Sequence, residues 1–437
     1  MWVSYGNFTP MAMTLAPFRR AGLWLLCSLV WSTAAAADAD HAIESLLNRA
    51  LDRNPSVRAT VAQAQAADQD IDVAKLGRLP SVQVTGEANT TANGSSLVVE
   101  QPLWAAGAIT ARIDEAKRLA DVSKAQIDVS RGQIGLRIVD AWQSLMDATA
   151  ALKVNQEALQ QYERYEALMR RRVDAQVSAT IELQLLASRT LQARVDVNEA
   201  RTLQRVALSR LEQIAGDKIP AEQQAELAQT LGADALQAAA TVQRLEALLL
   251  LLEQHPSVRR ARHETEVAQE RLTQQRALAW PQVVLRYRRQ ITGTIAAGAD
   301  RDQIGLALNY APGAGFSSVA RAGADAQRLV GFQLATEAIA QDLTEQIRVE
   351  WESLRRDIDR QGVQRQAIGS AREVLESYER QFVAGRKSWL DVLNALRDLT
   401  QSEIRLTQAQ ASATAGLYRL RLRSGALPGD NHWKVQP

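Results

Sequence analysis

Pro80–Trp104 reads PSVQVTGEANTTANGSSLVVEQPLW and lies between two long segments rich in helix-forming residues. Its first arm, residues 81–85, alternates polar and apolar side chains, which is the period of a β-strand with one polar and one apolar face. Ala92-Asn93-Gly94 tolerates positive φ and predicts the turn. The segment therefore predicts a β-hairpin inserted between helices.

A second segment of the same kind occupies Pro281–Gly313 and contains PQVVLRYRRQITGT and DQIGLALNYAPG. Its second arm places apolar residues at every other position from Ile304 to Tyr310. A hairpin flanked by helices therefore occurs twice, and the two copies define the plan of the molecule.

Proline positions support an internal repeat, since proline interrupts helices and marks the limits of structural elements. Four prolines recur in the second half at spacings of 201 to 210 residues: Pro55 with Pro256, Pro80 with Pro281, Pro102 with Pro312 and Pro220 with Pro428. NPSVR at 54–58 recurs as HPSVR at 255–259, and WQSL at 142–145 recurs as WESL at 351–354. The spacing rises from 201 to 209 across the hairpin, so the second hairpin loop should be about eight residues longer.

No proline interrupts 103–219 or 313–427, and both segments are rich in Ala, Leu, Gln, Arg and Glu. Such composition predicts very long helices, on the order of 100 Å for residues 105–172 at about 1.5 Å per residue. Each segment is interrupted once, by RVDAQVS at 172–178 and FVAGRKS at 382–388. Gly385 suits a left-handed helix end, and Ser388 with Asp391 suits a capping box, so these are predicted helical hairpin tips at 172–182 and 381–391.

The N-terminus predicts a secretory signal peptide over residues 1–37. Arg19 and Arg20 precede an apolar run at 21–31, and four alanines at 34–37 suit cleavage after Ala37. Translation could instead start at Met11 or Met13. The alternative, a transmembrane anchor, is disfavoured because the apolar run is shorter than the ~20 residues that a span requires.

Composition limits the possible functions. The net charge is +2, with basic and acidic residues interspersed, so nothing indicates a nucleic-acid partner. The single cysteine, Cys27, lies within the signal peptide, and the four histidines at 41, 255, 263 and 432 are isolated. No nucleotide-binding glycine loop and no cofactor or metal motif is present, which argues against an enzyme.

Exported strands without a long apolar helix suggest a membrane protein that inserts through its sheet. Four strands per chain cannot close a membrane barrel, for which about eight is the smallest number. The chain must then oligomerise: two copies give a filled barrel, whereas three give twelve strands and a lumen. Four aromatic residues fall where strands meet helices and predict a membrane-interface belt, or alternatively caps on helix ends in a soluble core: Trp104, Trp280, Tyr310 and Phe316.

The order helix, hairpin, long helix, tip, long helix, repeated over nearly all of the mature chain, resembles the TolC family of outer-membrane channels. The resemblance rests on Asn54-Pro55, Leu79-Pro80, QPLW at 101–104 with Gly107, and above all AGRKSWLDVL at 384–393. It implies a homotrimer with a twelve-stranded barrel in the outer membrane and a helical tunnel through the periplasm. It further implies docking of the tips to a periplasmic adapter protein and an inner-membrane transporter.

The same resemblance implies two repeats at 38–240 and 241–427 with a tail at 428–437, and it assigns roles to tip residues. Adapter docking is expected of the tip residues Arg172, Gln176, Ser178, Gly385, Arg386, Lys387 and Ser388. Asp391 is expected to face the tunnel at its narrow mouth, where three copies would form an acidic ring, unless it only caps its helix.

Three positions leave the details of that mouth open. Glu182 matches Asp391 in the first tip, whereas Asn394 stands where the family's prototype has a second acid. Gln176 stands where the family usually has glycine, which leaves the shape of the first turn open. Arg172 and Arg386 either pair with acids of neighbouring helices or are solvated.

Two functions within the channel class remain in competition, and a soluble periplasmic coiled-coil scaffold is a third possibility that would not need the duplicated hairpin. Residues 385–391 and 309–315 resemble the branch that secretes large proteins through an ABC exporter. Multidrug efflux with an RND pump is the alternative, disfavoured by the absence of a lipidation cysteine.

Overall fold

The computed structural model describes residues 42–88, 93–229, 245–292 and 300–426. The predicted signal peptide, the tail and Ala92 lie outside these ranges. The first half contains α1 (42–53), α2 (Pro55–Leu76), β1 (Ser81–Ala88), β2 (Asn93–Trp104), α3 (Ala108–Asp174), α4 (Thr180–Ala215) and α5 (Ala221–Leu227). The second half contains α6 (Leu245–Leu250), a 3₁₀ turn (Leu251–Gln254), α7 (Pro256–Ala277), β3 (Gln282–Thr292), β4 (Asp302–Asn309), a 3₁₀ turn (Ala314–Phe316), α8 (Ser317–Val383) and α9 (Trp389–Arg423).

The two longest helices, α3 and α8, contain 67 residues each. At about 1.5 Å per residue each extends on the order of 100 Å, as the proline-free segments predict. After each tip the chain returns antiparallel, α4 along α3 and α9 along α8, and α9 also packs on α3. Among the described residues, no helix combines the length and the apolar character needed to cross a membrane.

Each returning helix ends beside the start of a shorter helix, α4 beside α2 and α9 beside α7, where Gly425 lies against His255 and Pro256. The Asn54 side chain caps α2 by accepting from the Ser56 amide at 2.9 Å, and it donates to the Ile214 carbonyl at the end of α4 at 3.2 Å. In the second repeat, His255 Nδ1 accepts from the Ser257 amide at 3.1 Å at the start of α7. The two shorter helices begin with Pro55 and Pro256, a pair that recurs in the two halves of the sequence. These prolines therefore mark the starts of equivalent helices, as predicted.

The main apolar core lies where these junctions meet the middle of α3. Trp142 packs edge-on against Tyr418 of α9, with ring centroids 5.2 Å apart, and its Nε1 donates to the Leu227 carbonyl at 2.6 Å. This contact joins α3, α5 and α9, and therefore the two repeats. A second core lies at the tips, far along the helices from the strands.

The four strands form one antiparallel sheet in the order β1-β2-β3-β4, so the two hairpins join through β2 and β3. The predicted turn at Ala92-Asn93-Gly94 is wrong in part. Asn93 and Gly94 already belong to β2, where they pair with Ala88 and Glu87. Strand pairing extends beyond the local turn signal, and the connection reduces to 89–92, against 293–301 between β3 and β4. The second loop is longer, as expected, but with nine residues against four it is longer by five rather than by about eight.

Candidate functional site: the sheet, its aromatic border and the helical tips

The sheet has two chemically different faces, because antiparallel partners share a face and neighbours along a strand alternate. The apolar face carries Val82, Val84, Leu97, Val99, Val283, Leu285, Tyr287, Ile304, Leu306 and Leu308, together with Gln101, Arg289 and Asp302. The polar face carries Ser81, Gln83, Thr85, Ser96, Glu100, Arg286, Arg288 and Gln303, together with Val98, Val284 and Ala307. On the apolar face Val82 and Ile304 are 67% and 73% exposed in the protomer, so the described residues leave this face uncovered.

The four predicted belt residues all lie at the helical border of the sheet. Trp104 ends β2, Trp280 precedes β3, and Tyr310 follows β4. Phe316 ends the 3₁₀ turn before α8 with φ of +56°. All four side chains are 50–63% exposed, so none caps a helix end within a core of the protomer.

The two tip turns have the same backbone conformation. Gln176 and Gly385 both adopt left-handed geometry, with φ of +61° and +72°. Their amides donate to Val173 and Phe382 carbonyls, each at 2.9 Å. The open question of the first turn is thereby answered: glutamine accepts the strained conformation. Because Gln176 is equivalent to Gly385, Ser178 is equivalent to Lys387. Aligning residues 172–178 directly with 382–388 would instead pair Ser178 with Ser388, one residue further on.

Asp391 forms the capping box expected at the second tip. Its Oδ2 accepts from the Ser388 hydroxyl at 2.8 Å, and its amide donates to Ser388 Oγ at 3.3 Å. The hydrogen bond from the Ser388 side chain lowers the pKa of Asp391, which keeps the carboxylate ionised. Lys387 Nζ lies 3.8 Å from the same carboxylate and 4.4 Å from the centre of the Tyr378 ring.

The other predicted tip residues differ in their contacts. Glu182 is the third residue of α4, the position Asp391 occupies in α9, but no side-chain cap is formed there. Asn394 lies one turn after Asp391 and is half-buried. Arg172 Nε donates to Ser178 Oγ at 3.1 Å, and its guanidinium stacks 4.9 Å from the centre of the Phe382 ring. Arg386 is exposed and forms no ion pair with any described residue of its own chain.

Sequence reasoning missed two features of the tips. Trp389 is 2% exposed and packs on Tyr165 and Phe382, with ring centroids at 5.0 and 4.7 Å. Four aliphatic side chains, in contrast, are 45–69% exposed around the turns: Val177, Ile181, Val383 and Leu390. The repeat offset of 209 equates Ile181 with Leu390, which is the signal that could have identified this apolar surface.

The fold is thus that of a protein with one sheet bearing an exposed apolar face at one end and a long helical body ending in paired tips. The sequence matches the family model "Outer membrane efflux protein" over residues 46–217 and 247–426. The chain belongs to this family of outer-membrane channels, and the resemblance to the TolC family is confirmed. It is a transport channel of the outer membrane that extends into the periplasm.

Solved structures share the fold at low sequence identity. CusC has 16% identity and a TM-score of 0.74, with 88% of this chain and 92% of that chain covered. A membrane protein from Pseudomonas aeruginosa has 18% identity and a TM-score of 0.74, with coverage of 90% and 92%. The outer membrane protein VceC from Vibrio cholerae has 16% identity and a TM-score of 0.70, with coverage of 88% and 96%. No curated protein matches the sequence significantly.

Proposed function

We propose that three copies of this chain form the outer-membrane exit duct of a tripartite export machine. The observation that carries the proposal is the four-stranded sheet with an uncovered apolar face. Neither β1 nor β4 pairs along its outer edge with a described strand. Unpaired edges are not tolerated in lipid, and three sheets joined edge to edge give a closed twelve-stranded barrel with a lumen. The aromatic border then lies at the level of the lipid headgroups.

The tips are the proposed docking surface for a periplasmic adapter, which links the duct to an inner-membrane transporter. Channels of this family work as trimers with such partners. The exposed Ile181 and Leu390 support this role, because exposed apolar side chains beside charged ones are typical of interaction surfaces. Arg386, Lys387 and Ser388 lie beside Leu390 and supply the polar part of the contact.

The finer assignment is type I protein secretion with an ABC exporter. It is supported by the resemblance of residues 385–391 and 309–315 to the secretion branch. Multidrug efflux with an RND pump is the second candidate, favoured by the family's description as efflux proteins.

A photo-crosslinking residue at Ile181 or at Leu390 tests the docking and the cargo together. We expect both positions to capture the same adapter from intact cells, and co-purification of an ABC exporter rather than an RND pump supports secretion. Leu203 is the control, since it is similarly exposed on α4 but lies about 30 Å from the tip. Equal capture of the same partner at Leu203, or no envelope partner at either tip, contradicts the docking proposal.

The Asp391 carboxylates of three protomers are proposed to form an acidic ring at the periplasmic mouth, with Glu182 and Asn394 beside it. Asp391→Ala and Ser388→Ala both disrupt the capping box, but only the first removes the charge. A role in ion selection predicts that Asp391→Ala reduces the cation preference in planar bilayers while Ser388→Ala does not. Equal effects would assign Asp391 to capping alone.

A further inference from the structure

Among the side chains that the structure describes, the polar face of the sheet carries more positive than negative charge. Among the strand side chains that the structure describes, its charged members are Glu100, Arg286 and Arg288. Arg286 Nε donates to Glu100 Oε1 at 2.6 Å, so these two charges compensate one another. Arg288 has Val98 and Gln303 as its cross-strand neighbours, is exposed, and forms no ion pair with any described residue. Among these described side chains, one cationic group per protomer is therefore uncompensated.

The next residue along β3 provides the contrast. Arg289 lies on the opposite face of the sheet, near the end of β3 that leads to the loop. Its Nε is 3.7 Å from Asp302 Oδ1, which also accepts from the Tyr287 hydroxyl at 2.8 Å. The two adjacent arginines thus differ in both respects that matter: Arg289 is paired and faces outward, whereas Arg288 is unpaired and shares the polar face.

The polarity of the faces decides which of them lines the barrel. The uncovered aliphatic residues of the apolar face require lipid, so the polar face with Arg288 must line the lumen. Three-fold closure then brings three Arg288 side chains to one level of a confined aqueous passage. Walls of low dielectric focus the field of such a ring, and guanidinium groups bind carboxylate and phosphate in bidentate fashion.

We infer that Arg288 forms a cationic ring inside the barrel that binds the carboxylate or phosphate groups of solutes leaving the channel. This inference rests on the proposed trimeric barrel. The ring lies at the opposite end of the molecule from the tips, so ligand added from the barrel side meets Arg288 before it meets the tunnel mouth.

The test is block of single-channel current by inositol hexakisphosphate added to the barrel side of a planar bilayer containing the full-length trimer. The wild-type channel should be blocked at 0.1 M KCl and much less at 1 M KCl, where the Debye length is about 3 Å. Arg288→Gln should weaken the block about tenfold or more, since three charges are lost at one level. Arg289→Gln is the matched control and should leave the block unchanged.

The possible outcomes separate the ring from the barrel. Channels that conduct normally but show equal block in wild type and Arg288→Gln overturn the ring and leave the duct intact. Equal weakening by Arg288→Gln and Arg289→Gln also overturns it, because the effect would then follow overall charge. A purified chain that forms no trimer and no conducting pore overturns the duct itself, and with it the ring.

Discussion

Asn54 and His255 cap the helices that start at equivalent positions of the two repeats, and of the two side chains only His255 can titrate. Burial, together with the nearby positive charge of Arg259, lowers the pKa of His255 to about 4. Only the neutral imidazole can accept the hydrogen bond from the Ser257 amide at Nδ1, so protonation of His255 removes the cap of α7. The second repeat therefore has a pH-sensitive junction that the first repeat lacks.

The stability contributed by His255 should be complete above its unfolded pKa of about 6.5 and should be lost as the pH falls from there toward 4, because the unfolded chain binds the proton first. The loss amounts to at most about 3 kcal/mol. His255→Asn restores the cap used in the first repeat and should remove this component. Thermal unfolding of the purified protein at pH 7.5 and pH 4.5 measures it. An unchanged pH dependence in the variant would contradict the assignment.

Gln176 and Gly385 give a second prediction at the residue scale, since they share a left-handed backbone but differ in side chain. A non-glycine residue in this conformation costs roughly 1 kcal/mol. Gln176→Gly should therefore stabilise the first tip, and Gly385→Ala should destabilise the second by a similar amount. Relative to the wild-type protein, the urea concentration at the midpoint of unfolding should rise for Gln176→Gly and fall for Gly385→Ala. A shift of both midpoints in the same direction would refute the strain argument.

The sequence predicted that the chain turns at the two tips, but it did not predict how the side chains inside the tips pack. Gly385 and the Ser388 capping box indicate a turn from the sequence alone, because both depend only on residues a few positions apart. Trp389 meets Tyr165 across more than two hundred positions, and nothing local reports such a contact. For the same reason Asn93-Gly94, a strong turn signal, gave the wrong boundary: cross-strand pairing outweighs local preference.

Trp389 should hold the tip together as a unit. Trp389→Ala removes the side chain on which Tyr165 and Phe382 pack, and should cost about 3–5 kcal/mol locally. Amide exchange in residues 162–174 and 389–399 should then accelerate while the core around Trp142 stays protected. Leu390→Ala is the control, because that side chain is exposed and should leave exchange unchanged. Uniform acceleration over the whole chain would mean that the tip is not a separate unit.

At the scale of the whole molecule, the faces of the sheet decide whether the protein enters the membrane. Val82→Lys places a charge on the apolar face in the row of Val99 and Tyr287, in the middle of β2 and β3, and should cost about 2–4 kcal/mol. Gln83→Lys, one residue away on the polar face, should be tolerated. Membrane fractionation and trimer content on gels measure the difference. Equal losses in both variants would argue against a lipid-facing apolar surface.

The overall plan was readable from the sequence because proline spacing, strand alternation and missing helix breakers all repeat. The distribution of charge over the sheet was not, since it depends on the register that sets Glu100 opposite Arg286 and leaves Arg288 beside Val98. A shift by one residue would exchange the two faces. Register is fixed by the pairing of β2 with β3, which are separated by almost half the chain.

The equal length of α3 and α8 has a consequence for stoichiometry. Because both helices contain 67 residues and start from one sheet, their turns end at the same level. A trimer would thus present a rim of six turns with nearly identical backbones. A partner that contacts only the backbone shared by the turns would find six equivalent binding sites per channel. A partner that contacts the side chain of Lys387 or Arg172 would find three.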